Sequence, residues 1–241
     1  MKPVLHSGLF VTGTDTGVGK TFVSASILSA LRSRGCDAVP MKPVQTGCVQ
    51  RQGRLIAPDL AFCLKVARLT PSQSDRCDMA PFCFKPACSP HLAAQRTGAT
   101  IRFSVIRKAF CRLSRAHEFV VVEGAGGVLV PLNRRKTMLD LMVALRLPVL
   151  LVARPGLGTI NHTLLSLEAL SRVGLDILGV VLNQSNPGRW GDIENDNLQT
   201  IERMSGVKVL ACIRYGESPG RIQCALAGLP PILGVRESRS R

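Results

Sequence analysis

The sequence predicts an α/β fold, a mostly parallel sheet flanked by helices on both faces. Two observations carry that expectation. Short apolar runs rich in β-branched residues recur along the chain, and between them apolar residues return at helical spacing. Strands buried on both faces read as continuous apolar runs, as a sheet covered by helices requires.

The first run is Gly8–Thr12, which leads into a glycine-rich segment. Beyond it Val23, Ile27 and Leu31 recur every four residues, on one face of a helix that ends near Gly35. Ala38–Val44 reads as the next strand. Residues Asp75 to Pro90 are rich in Pro, Cys and Phe without clear periodicity, and predict an irregular excursion rather than a domain boundary. Phe119–Val122, Leu147–Ala153 and Ile177–Leu182 predict three further strands, and Val207–Ile213 a weaker one. With 241 residues, 46% of them apolar, the chain can bury one large core. The expectation is a single domain over residues 1–235, followed by a disordered tail at Arg236–Arg241, where charge alternates with serine.

Composition narrows the function classes. Every apolar run is far shorter than the roughly 20 residues that a membrane-crossing helix needs, and Met1 to Gly13 shows no cleavage pattern of a removable leader. Nine cysteines are scattered with no CxxC pair, which fits a reducing cytoplasm better than a disulfide scaffold. Cys83, Cys88 and His91 stand close in sequence, but their spacing matches no common zinc pattern. A net charge of +15 attracts anions in general. The basic residues are dispersed, however, and one Trp and one Tyr offer no row of rings for base stacking. Neither a nucleic-acid nor a membrane partner is expected.

The segment Gly13-Thr14-Asp15-Thr16-Gly17-Val18-Gly19-Lys20-Thr21 lies between a strand and an amphipathic helix, the context that a phosphate-binding loop requires. Gly17 and Gly19 let successive N–H groups turn inward, and the helix N-terminus adds a positive dipole end. Lys20 can reach the β and γ phosphates of ATP, and the Thr21 hydroxyl can coordinate Mg²⁺. The usual first glycine is replaced by Thr14, with Gly13 one position earlier, so the loop is a variant. The alternative is an ordinary strand-to-helix turn with a surface lysine.

Ligands of such sheets lie beyond the carboxyl ends of the strands, where several polar residues fall. Glu123 ends one run and is followed by Gly124-Ala125-Gly126-Gly127; it is either a Mg²⁺ ligand or a solvated strand cap. Lys42 ends another and points either into the same crevice as Lys20 or to solvent. Two ammonium groups facing one site would need strongly anionic ligands to offset their repulsion. Asp59 precedes Leu60-Ala61-Phe62-Cys63-Leu64 and reads most simply as a helix N-cap. Asn183 ends the Ile177–Leu182 run, where its amide can read an adenine edge or serve an ordinary turn.

Together the loop from Gly13 to Thr21, Lys42-Pro43-Val44-x-Thr46-Gly47, Ser89-Pro90-His91, Val122 to Gly127 and Gly158-x-Ile160-Asn161-His162 resemble the dethiobiotin synthetase family, in order and spacing, across roughly residues 8 to 185. The resemblance implies a P-loop NTPase fold and a homodimer. It implies ATP- and Mg²⁺-dependent closure of the ureido ring of dethiobiotin from 7,8-diaminopelargonic acid and CO₂, in biotin synthesis. By position, Lys42 holds the carbamate and developing phosphoryl charge, and Lys20 steadies the transferring phosphate. Thr21, Asp59 and Glu123 form the Mg²⁺ shell, which moves Asp59 from cap to ligand. Thr46 and Thr16 touch the diamine, and Asn161 opens a helix that takes the substrate carboxylate from the neighbouring subunit. Gly17, Val18, Gly19, Phe22, Gly124, Ala125, Gly126, Asn183 and Gln184 surround the nucleotide, with Asn183 reading adenine. The chain departs from the family at Arg214-Tyr215-Gly216, where a proline and an apolar residue are common, and at Arg154, where a small residue is common. The rival reading is an ATP-driven switch of the chromosome-partitioning or division-site type; such switches carry a lysine where this chain has Asp15.

Overall fold

The computed structural model describes residues 8–219, so the tail expected at Arg236–Arg241 and the last part of the expected domain lie outside the described residues. Along the chain the elements are β1 (Gly8–Gly13), α1 (Lys20–Ser33), β2 (Ala38–Met41), β3 (Val44–Gln45), β4 (Val49–Arg51), β5 (Arg54–Ile56), α2 (Pro58–Val66), α3 (Gln73–Met79), β6 (Phe82–Cys83), α4 (Pro90–Arg96), α5 (Phe103–Ala116), β7 (Phe119–Glu123), α6 (Met138–Leu145), β8 (Val149–Ala153), α7 (Thr159–Arg172), β9 (Ile177–Asn183), α8 (Asp192–Ser205) and β10 (Val209–Ile213). Six strands form one parallel sheet in the order β10-β9-β8-β1-β7-β2, with β1 inside it.

Alternation along each strand divides the core in two. Phe10, Val120, Val122, Leu151 and Leu182 point to one face, where α5, α6, α7 and α8 supply Ile106, Met142, Leu167 and Ile201. Leu9, Val11, Phe119, Val121, Leu150 and Val181 point to the other, covered by Val23, Ile27 and Leu31 of α1 and Cys63 of α2. Burying each Leu, Ile, Val or Phe contributes about 1.5–3 kcal/mol. Helices therefore cover both faces, as the apolar runs predict, and the three α1 residues spaced by four pack together.

Three local expectations need correction. The strand expected over Ala38–Val44 breaks at Lys42-Pro43: Lys42 N–H donates to Met79 O at 2.6 Å instead of continuing the ladder, and β3 pairs with β6 in a separate small sheet. The excursion from Asp75 to Pro90 is partly regular, because α3 occupies its start, with the Ser72 hydroxyl accepting from Asp75 N–H at 3.1 Å. Asp59 is not the N-cap of α2: Ala57 holds that position with no side-chain cap, and Pro58 opens the helix. Proline suits the first helical position because no N–H is needed there, so Asp59 sits one place inside and its carboxylate is free for other partners.

Candidate active site

The loop between β1 and α1 has the backbone of an anion cradle. Gly17 and Gly19 take left-handed φ of 77° and 92°, conformations that a side chain strongly disfavours. Gly13 lacks the space for anything larger, since a Cβ there would stand 2.8 Å from Val18 Cγ2 and 3.1 Å from Lys20 Cδ. Among the described residues no group accepts from the N–H of Gly17, Val18, Gly19 or Lys20. Four donors at a helix N-terminus stay open for an anion.

Lys20 lies under this loop, 6% exposed, and its Nζ donates to Asp15 O at 2.7 Å. Burial, and then the nearby Lys42 ammonium, lower its pKa from the usual 10.5 to about 8, against the pull of Glu123, Asp59 and Asp15. The Asp15 carboxylate takes the Thr16 N–H at 2.7 Å and the guanidinium of Arg154 at 2.8 Å. The atypical Arg154 thus straps the end of β8 to the loop through an exposed ion pair.

The register of the sheet assembles the second half of the site. Met41, the last residue of β2, stands beside Val122 of β7, so Lys42, just past β2, and Glu123, which ends β7, emerge side by side at the carboxyl edge. Lys42 Nζ contacts Glu123 Oε1 at 2.6 Å, Asp59 Oδ2 at 2.7 Å and Gly124 O at 3.1 Å. Burial alone would lower the Lys42 pKa; the Glu123 and Asp59 carboxylates outweigh it, so the net direction is up. Thr21 Oγ1 donates to the same Glu123 Oε1 at 2.8 Å. One hydroxyl and two carboxylates therefore converge within reach of the loop. All are hard oxygen donors, the kind that suits Mg²⁺.

A cavity of about 690 Å³ opens over these groups. Thr16, Gly17, Gly19, Lys20, Thr21, Lys42, Thr46, Asp59, Glu123, Ala125 and Gly126 all line it, which unites most of the residues expected from sequence. The remaining ones lie elsewhere. Val18 is buried in the second core, and Phe22 packs against that core from the first turn of α1. Gly124 contributes its carbonyl beneath Lys42. Asn183 stands behind the loop, one amide hydrogen engaged with Val18 O at 2.9 Å. Gln184 Oε1 accepts from Tyr215 N–H at 3.4 Å in the atypical turn after β10. Asn161 lines a separate groove with Leu164, Leu165 and Met204, away from the loop of its own chain. Sequence reasoning missed Gln45, Cys88 and Val130, which also line the cavity. Gln45 fills the unspecified position of the Lys42–Gly47 motif, so its place in that motif was the available signal. Cys83, Cys88 and His91 form no metal site; among the described residues no three such side chains come together.

Comparison with known proteins follows this geometry. A family model described as an AAA domain matches residues 7–221. The chain is 47% identical over 182 residues to an ATP-dependent dethiobiotin synthetase of Anaeromyxobacter dehalogenans strain 2CP-1, covering 75% of this chain and 78% of that relative. It is 41% identical over 209 residues to the one from Anoxybacillus flavithermus strain WK1, covering 86% and 91%. Among solved structures, the septum site-determining protein MinD complexed with Mg-ADP from Pyrococcus horikoshii OT3 superposes with a TM-score of 0.60 at 17% identity, covering 97% of this chain and 99% of that one. A ParA family ATPase from Chlorobium tepidum TLS gives 0.54 at 14%, covering 96% and 97%. These two likenesses establish the P-loop fold and nothing about the switch activity of that class. The sequence relatives decide between the two readings: the chain belongs to the dethiobiotin synthetase family of ATP-dependent ligases.

Proposed function

We propose that this chain closes the ureido ring of dethiobiotin on 7,8-diaminopelargonic acid, using CO₂ and ATP, through a carbamate and a carbamic-phosphoric anhydride. The observation that carries the reading is the buried Lys42 ammonium, facing the phosphate-loop lysine across Glu123 and Asp59 in one cavity. Hydrolysis of ATP alone needs only a water beyond the γ-phosphate. A second buried cation and a cavity reaching to Thr46 favour a second anionic reactant.

In this reading one substrate amine adds to CO₂ and loses a proton, giving the carbamate. A carbamate oxygen attacks the γ-phosphorus and ADP leaves; the second amine then attacks the carbamoyl carbon and phosphate leaves. Negative charge gathers on the phosphoryl and carbamate oxygens throughout. Lys20 and the open amides of Gly17 to Lys20 hold the triphosphate, while Lys42 turns from its carboxylates to the carbamate and the phosphoryl oxygens. Thr46 and Thr16 position the diamine by hydrogen bonds. Thr21, Asp59 and Glu123 would hold Mg²⁺, which supplies charge neutralisation on the phosphates. Asn183, with its Oδ1 and second amide hydrogen, reads adenine beside Gln184.

A homodimer completes the site in this reading. Asn161 at the start of α7 receives the substrate carboxylate from the neighbouring subunit, a use of helix N–H groups that the dipole favours. Support comes from exposed apolar side chains around that helix, Leu157 before it and Leu165 within it, whose burial against a second copy would be favourable.

The test is direct. The protein is incubated with diaminopelargonic acid, bicarbonate, Mg²⁺ and ATP, and dethiobiotin is sought by mass alongside an equal release of phosphate. DNA-stimulated ATP hydrolysis without ring product would refute the reading in favour of the switch.

A further inference from the structure

The phosphate loop is held from behind by the segment that closes β9. Asn183 Nδ2 donates to Val18 O at 2.9 Å, and Ser185 Oγ donates to Gly17 O at 2.8 Å. A trans peptide is planar, with its C=O and N–H pointing opposite ways. Fixing the Gly17 and Val18 carbonyls toward β9 therefore fixes the N–H groups of Val18 and Gly19 on the far side. Those are two of the amides with no acceptor among the described residues.

The loop needs such a restraint. Glycines at 17 and 19 allow its left-handed turns but do not enforce them, because glycine also populates the alternatives. Contact at the back is close: a Cβ on Gly19 would fall 2.0 Å from Asn183 Nδ2. Asn183 itself is 4% exposed, whereas Ser185 is at the surface.

We propose that Asn183 and Ser185 are positioning residues for the triphosphate, acting through the Gly17–Val18 and Val18–Gly19 peptides independently of any base. The proposal rests on the reading of this loop as the phosphate site, and it gives Asn183 a task separate from reading adenine. Pre-set amides spare the ligand the cost of ordering the loop, so losing one tie should appear as lost affinity for the bare polyphosphate.

The experiment uses the full chain and two probes, Mg²⁺ with ATP and Mg²⁺ with inorganic tripolyphosphate, each displacing a fluorescent ATP analogue. Ser185→Ala should weaken both probes by the same factor, about fivefold to tenfold, the fold-change that one neutral hydrogen bond carries. Its melting temperature should stay within about a degree, since surface substitutions change stability little. Ser185→Thr, which keeps the hydroxyl, should restore affinity, and the KM for ATP should rise with kcat retained at saturation. Asn183→Ala should also weaken tripolyphosphate, and ATP at least as much. Wild-type tripolyphosphate affinity in both variants, with ATP affinity lowered or not, overturns the proposal and leaves the loop assignment standing. A wild-type protein that binds neither probe overturns the loop assignment itself.

Discussion

Replacing Lys42 by alanine separates grip from chemistry. The Lys42 ammonium, 5% exposed, sits 2.6 Å from Glu123 and 2.7 Å from Asp59. Breaking a buried ion pair by deleting one partner costs about 3–5 kcal/mol, because the other charge is stranded. Two features place this case at the lower end: Asp59 is 31% exposed, and Glu123 keeps the Thr21 hydroxyl. At about 3 kcal/mol, and roughly 2–4 °C per kcal/mol in a domain of this size, the ligand-free Lys42→Ala protein should melt about 6–12 °C lower. Turnover should fall further, by about 10²–10³, the cost of removing one preorganised donor from a developing anion. ATP affinity should hold within a few-fold, because Lys20 and the loop amides are intact. Melting curves, ATP titration and mass-detected dethiobiotin read the three quantities. Turnover within tenfold of wild type would remove Lys42 from the chemistry; loss of ATP affinity in step with turnover would make it a binding residue only.

Lys20 offers a proton count. With its folded pKa lowered to about 8, it costs stability wherever both states are protonated; that cost, up to roughly 3 kcal/mol from the gap to 10.5, is relieved as pH rises from about 8 to 10.5. Lys20→Met should therefore raise the neutral-pH melting temperature of the ligand-free protein while abolishing tight ATP binding, and a lowered melting point would contradict the burial argument. For the same reason ATP binding near pH 8.5 should take up protons, seen as a dependence of calorimetric heat on the ionisation enthalpy of the buffer; no dependence would contradict the lowered pKa of Lys20. Asp59→Asn should raise the Mg²⁺ concentration needed for half-maximal turnover several-fold, with a stability loss of about 1.5–3 kcal/mol because the buried Lys42 ammonium loses one of its two carboxylates and keeps Glu123; a stability change alone would return Asp59 to a purely structural role. Gly19→Ala puts a Cβ at φ 92° and against Asn183, so ATP binding should be lost, and retained affinity would show that the loop can be rebuilt without its left-handed turn.

Some of this site was legible in the sequence because its chemistry is local. The glycines, Lys20 and Thr21 occupy fixed offsets between a strand and a helix, so their geometry follows from the chain alone. Local pattern showed Lys42 and Glu123 only as strand ends, and it was the family motifs that assigned them to one site; that they touch depends on the register of β2 against β7, a long-range fact. Asp59 misled local reasoning, since an aspartate before an apolar run looks like a cap until Pro58 takes the first helical position. In α3, seven residues give too few turns for periodicity to show, although Ser72 and Asp75 three places apart carried a cap signal. The side-chain ties from Asn183 and Ser185 to the loop span more than 160 positions, and nothing local announces them.

Several charged residues of the candidate site sit at the rim of the sheet. Asp15, Arg154, Lys42 and Glu123 emerge beyond strand ends, and the two exposed ones pair with each other. Exchanging them leaves the alternating Leu, Val and Phe of the two cores untouched. The same fold therefore recurs at 17% identity, and the groups at the rim can differ without altering it. A lysine at position 15 would meet Arg154 with like charge and lose the Thr16 N–H bond, disturbing the loop without disturbing the fold. The proposed ring closure thus rests on a few rim side chains, the buried Lys42 between Glu123 and Asp59 first among them.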